Sequence, residues 1–89
     1  MKKGAYKILL LPSGQRGLDD IQDKALLSRL KESMLKLKDN PRPPGRVKLL
    51  GGKDGYRIRV SDYRYVYRID DSNKMIYIYR VKHRREVYR

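Results

Sequence analysis

The sequence predicts an α+β fold, with two helices early in the chain packed on one face of an antiparallel β-sheet. Three observations lead there. Leu27, Leu30, Met34 and Leu37 recur at spacings of three and four, the signature of a helix with one apolar face. Asn40-Pro41-Arg42-Pro43-Pro44-Gly45 then breaks any helix and forces an extended connection. Beyond Tyr56 the chain turns to period-two alternation rich in tyrosine, valine and isoleucine.

Taken in order, Tyr6 to Leu11 reads as a strand stopped by Pro12, with Ser13 placed to cap the helix that follows. Ser13 to Ile21 is a short helix in which Gly14 and Gly17 each cost about 1 kcal/mol relative to alanine, so it needs packing to persist. Asp23 to Lys38 is the main helix. Its apolar stripe reads as core rather than as a partner groove, because no other segment offers a comparable apolar face. Gly51, Gly52 and Gly55 surround a turn near Asp54, and strands follow at Tyr56 to Val60, Tyr63 to Ile69 and Met75 to Val81, with a turn from Asp70 to Asn73. Neither a repeat nor a linker divides the chain, so residues 1–89 are expected to form a single domain. A domain of this size buries only roughly 60 to 65% of the surface its unfolded chain exposes.

Composition narrows the chemistry. With no cysteine and one histidine, the chain has neither a disulfide framework nor a zinc cluster, and no metal or other cofactor is expected. Lys and Arg total 23 against 10 for Asp and Glu, a formal charge of +13. Such a surface suits polyanions through counterion release, nucleic acid or the ribosome first, although an acidic protein or an anionic membrane surface would answer the same charge. The apolar run from Ile8 to Leu11 is too short for a membrane span or a secretory signal, so a cytoplasmic protein without membrane attachment is expected.

Strand alternation sorts the charge. Tyr56, Ile58 and Val60 fall on one side and Arg57 and Arg59 on the other; Arg64 and Arg68 share a face across Val66, while Tyr63, Tyr65, Tyr67 and Ile69 share the opposite one. This implies a helix-covered core side and a basic open side. Tyr65, Tyr67, Tyr77 and Tyr79 are expected to pack, with their hydroxyls at the sheet edge. The terminal run Lys82-His83-Arg84-Arg85-Glu86-Val87-Tyr88-Arg89 joins a titrating imidazole, fixed cations and an aromatic plane. Cutting RNA with its own 2'-hydroxyl requires these capacities: proton transfer, charge on the phosphate, and a stacked base.

The assembled pattern resembles the RelE/ParE toxin superfamily. It consists of the proline-rich 40–45 segment, Lys48-Leu49, Tyr56-Arg57-Ile58-Arg59-Val60, Asp62-Tyr63-Arg64, Tyr67-Arg68-Ile69-Asp70-Asp71 and His83-Arg84-Arg85-Glu86-Val87-Tyr88. Pro12-Ser13-Gly14 with Leu18 resembles the start of that superfamily's helical hairpin, so the likeness spans nearly the whole chain. It implies a RelE-like sheet with a concave basic face for messenger RNA in the ribosomal decoding site. It also implies a cognate antitoxin that wraps the toxin, with no homo-oligomer expected without it. The activity implied is a metal-independent endoribonuclease, an mRNA interferase that inhibits translation. By motif position, Arg57 and Arg59 would hold the messenger backbone, Arg64 and Arg84 would stabilise the scissile phosphate, and Tyr88 would stack on the base. Arg68, Lys82 and Arg85 would extend the RNA-binding surface. Some RelE-like members carry lysines where this chain has the strand arginines, and arginine is a poor proton acceptor, which leaves His83 as an alternative acid or base. The competing expectations are a ParE-like DNA gyrase inhibitor without nuclease chemistry, and a noncatalytic RNA-binding or ribosome-associated module.

Overall fold

The computed structural model describes residues 6–49 and 55–83. Strand β1 (Lys7–Leu10) leads into helices α1 (Pro12–Asp19) and α2 (Lys24–Lys36), and the chain continues through β2 (Val47–Lys48), β3 (Gly55–Val60), β4 (Tyr63–Asp70) and β5 (Met75–His83). These strands form one sheet in the order β1-β5-β4-β3-β2. The expected antiparallel meander runs from β2 to β5, and β1 adds to its edge in parallel with β5. The parallel pairing follows from the two helices, which carry the chain across one face before it returns. The two-residue β2 follows the proline-rich connection, in a stretch the sequence assigns to no element. Gly45, at φ 92°, and a bond from the Arg46 amide to the Pro43 carbonyl (3.3 Å) turn the proline-rich segment so that Val47 meets Arg57.

Asp23 starts α2 by accepting a hydrogen bond from the Leu26 amide at 3.1 Å, which satisfies one of the free donors of the first turn. Leu30, Met34 and Leu37 are buried and Leu27 is partly so, and the stripe packs as core against Tyr65, Tyr67, Ile69, Ile76, Ile78 and Val81. Each such side chain contributes about 1.5 to 3 kcal/mol of transfer free energy.

At α1 the structure departs from the expected cap. Proline occupies the first turn, but Ser13 donates its hydroxyl to the Tyr79 carbonyl instead of capping the helix. The cause is the length of β1, which ends opposite Ile78 and leaves the rest of the β5 edge without a strand partner. α1 covers that edge. A methyl group at Gly14 would stand 2.6 Å from the Ile78 carbonyl oxygen, and one at Gly17 would overlap the Val81 carbonyl. The glycines that weaken the helix in isolation are what let its backbone reach the sheet.

Buried tyrosines find partners for their hydroxyls. Tyr65 shares a hydrogen bond with Ser33 of α2 at 2.7 Å, and Tyr67 donates to the Pro41 carbonyl at 2.8 Å. Burial pushes the Tyr65 phenol up to about 12 and raises that of Tyr67 as well. Arg42 of the proline-rich segment grips Asp71 with both terminal nitrogens, at 3.3 and 2.9 Å, and Tyr6 donates to the same carboxylate at 2.6 Å. These two bonds, Arg42 first, hold the Asp71 carboxyl at about 2.

Tyr77 and Tyr79, expected to pack, are half-exposed. The reason is register. Val66 pairs with Arg80 but Tyr67 pairs with Ile78, so β5 carries one extra residue, Tyr79, as a bulge. Before it Ile76 and Ile78 enter the core; after it Val81 does.

Candidate nucleic-acid interface

The sheet face away from the helices carries four cross-strand rows, the last of which, Asp70 with Met75 and Lys7, holds a carboxylate at one end of the face. In the first, Arg59 of β3, Arg64 of β4 and Lys82 of β5 are directly opposed. The second runs Val47, Arg57, Val66 and Arg80, and the third brings Gly55, Arg68, Tyr77 and Leu9 together. Directly opposed Cα atoms in such ladders lie about 5 Å apart, so neighbouring cations stand within a phosphate's reach of one another. None of these first three rows contains a carboxylate.

Opposed like charges destabilise a sheet, and this surface keeps three in line. The middle one, Arg64, retains only 9% of its exposure. Its planar guanidinium, with a basic residue opposite it on either side, matches phosphate oxygens. Arg59 is anchored by a bond from its Nε to the Ser61 carbonyl at 3.0 Å, across the two-residue β3–β4 turn where Ser61 adopts φ 57°. Arg68 stacks over the Tyr77 ring, 4.9 Å from its centroid, which leaves an aromatic and a cation side by side.

The structure therefore brings together Arg57, Arg59, Arg64, Arg68 and Lys82 on one surface. It places His83 elsewhere: His83 pairs with Tyr63, on the helix side, and the two rings meet edge to face at 5.3 Å. Arg84, Arg85 and Tyr88 lie outside the described residues. Arg80 is the residue that sequence reasoning missed. Uninterrupted alternation through Ile76, Ile78 and Arg80 would have sent it into the core, and only the bulge at Tyr79 delivers it to the basic face. A signal existed: Ile76 and Ile78 have one parity and Val81 the other, and an apolar face that changes parity mid-strand requires an extra residue.

Among the described residues no group of three His, Asp or Glu side chains gathers as metal ligands would, and no helix is long and apolar enough to cross a membrane.

Comparison with known proteins places this geometry. No curated protein matches the sequence. Among solved structures, RelE in the archaeal RelE–RelB complex from Pyrococcus horikoshii is 29% identical, with a TM-score of 0.78 over 90% of this chain and 96% of that one. The isolated E. coli RelE toxin is 26% identical, with a TM-score of 0.78 over 94% of this chain and 92% of that one. A YoeB/ParE toxin from Agrobacterium tumefaciens shares the fold at 17% identity, with a TM-score of 0.74 over 86% of this chain and 96% of that one. The family model for the ParE toxin of the type II toxin-antitoxin system parDE matches residues 8–88. With that match over nearly its whole length and RelE toxins as its structural neighbours, the chain belongs to the ParE toxin family, within the RelE/ParE superfamily of type II toxin–antitoxin toxins.

Proposed function

We propose that the chain is a RelE-type toxin that cuts messenger RNA in the ribosomal decoding site. The observation that carries this reading is the cationic row Arg59, Arg64 and Lys82, extended by Arg57 and Arg80, on a sheet face with no carboxylate in the same rows. Such a face holds a phosphodiester backbone and stabilises the charge that builds on a phosphate under attack. In the proposed reaction the RNA 2'-oxygen bonds to the adjacent phosphorus, the 5' oxygen leaves with a proton, and a 2',3'-cyclic phosphate remains. Arg57 and Arg59 grip the backbone, and Arg64, with Arg84, faces the scissile phosphate. Tyr88 stacks on the base. Arginines stay protonated at neutral pH and His83 lies on the helix side of the sheet, so proton transfer falls to Tyr88 or the ribosome.

The partner of such a toxin is a cognate antitoxin, as in the RelE–RelB complex from Pyrococcus horikoshii. An antitoxin segment covering the basic face would keep the messenger out, and the cytoplasm is where toxin, antitoxin and ribosome meet.

Primer extension on a translated reporter messenger, with purified protein and with or without ribosomes, tests the reading. Cuts confined to the decoding-site codon and dependent on ribosomes are expected. Because the matching family model is that of the ParE toxin of parDE, a second reading is a ParE-like inhibition of DNA gyrase without nuclease chemistry. An intact messenger together with trapped gyrase–DNA cleavage complexes would establish that one instead.

A further inference from the structure

Beyond Ile78, where β1 stops, α1 and the β5 edge enclose a cleft of about 320 Å³. Cavities that hold small ligands begin at about this size. The cleft is lined by Arg16 of α1 and Asp20 just past its end, by Tyr79, Arg80 and Lys82 of β5, and by Tyr63 of β4. Its lining residues thus include three basic ones, one acidic one and two tyrosines. Lys82 belongs to both the cleft and the cationic row of the open face, so the two surfaces join around the β5 edge.

We infer that this cleft binds a nucleotide of single-stranded RNA flanking the one held on the sheet. Arg16 takes its phosphate, the tyrosine rings offer a stacking plane for its base, and Asp20 accepts from a base amino group. The inference rests on the reading of the sheet as an RNA surface. An acidic peptide would also meet the cations, but Asp20 repels it and two phenol rings gain little from carboxylates. The cleft would set a preference for the neighbouring base, in addition to whatever the open face recognises.

The test uses the full chain and a fluorescein-labelled hexaribonucleotide carrying 2'-O-methyl groups, which cannot be cut by 2'-oxygen attack. Amide NMR shifts are expected in Gln15 to Asp20 as well as in β3 to β5. Arg16→Ala, an exposed helical position, should weaken binding about two- to fivefold. It should also flatten the dependence of log Kd on log salt by about 0.7, one phosphate's worth for a single strand. Tyr79→Ala should weaken binding by about 5- to 150-fold through lost stacking. Shifts confined to the sheet, with Arg16→Ala unchanged in affinity and salt slope, would sink the cleft and leave the sheet reading intact. No binding by the unmodified chain would overturn the cleft proposal, while ribosome-dependent cutting in the primer-extension assay would still uphold the messenger reading. Cleft amides that shift with a hexaglutamate peptide and not with the RNA would assign the pocket to an acidic protein and end the nucleotide proposal.

Discussion

The two faces of the sheet are made by the same strands and obey opposite rules. Toward the helices, Tyr65 and Tyr67 are fully buried and each hydroxyl has a partner. On the other side, Arg59, Arg64 and Lys82 stand in line. One face is a solved packing problem; the other lines up like charges that a polyanion would complement. Stability and binding are therefore expected to separate cleanly by residue parity, and substitutions can break or sharpen that separation.

The largest effect is expected at the packed face. Tyr65→Ala removes a wholly buried ring and leaves Ser33 without its partner, and should cost about 3 to 5 kcal/mol in urea denaturation. Next comes Arg64→Ala, which should cost about 2 to 4 kcal/mol of transition-state stabilisation, measured as the rate of messenger cleavage on ribosomes. An unaltered rate would remove Arg64 from the chemistry. Gly17→Ala pushes a methyl into the Val81 carbonyl and should destabilise by about 1 to 3 kcal/mol, lowering Tm although alanine is the better helix former. A stabilised Gly17→Ala protein would refute the close approach of α1 to β5.

Smaller effects test the charged side. Lys82→Gln relieves one like-charge opposition, so stability should rise by about 0.2 to 1 kcal/mol while RNA affinity falls. A parallel fall in both would show that the row is structural. The Asp71 carboxyl, lowered to about 2 by Arg42 and Tyr6, gives the acid limb its sign. Because the folded-state value lies below the unfolded one, its contribution is fully present above the ordinary carboxylate range near 3.9 and is lost as pH falls from about 4 to 2. Thermal melts across that interval should show the loss in the parent and a flatter limb in Asp71→Asn.

Much of the fold was legible because it rests on periodicity. The stripe from Leu27 to Leu37, the proline-rich break and the alternation of β3 and β4 each carry their own signal, and the strand arginines fell on one face as read. What escaped depended on partners distant in sequence. Ser13 looked like a cap, but Tyr79 competes for its hydroxyl from a strand 66 residues away. β2 is too short to alternate, and exists only because Gly45 turns Val47 toward Arg57. Nothing local to Gly14 or Gly17 says that a carbonyl waits at contact distance. The missing member of the candidate site, Arg80, was lost to the assumption of an unbroken strand.

That bulge makes β5 a message read in two frames. Up to Ile78 the even-numbered positions spell the interior, and from Val81 onward the odd-numbered ones do. Tyr79 acts as the inserted letter. Were Tyr79 instead paired into the ladder as an ordinary strand residue, one frame would run through β5 and turn Arg80 and Lys82 inward against the core, where two uncompensated cations cannot be hydrated. Deleting Tyr79, by contrast, removes the inserted letter and leaves Arg80 and Lys82 facing outward, so the basic character of the open face is written as much in the count of residues as in their kinds.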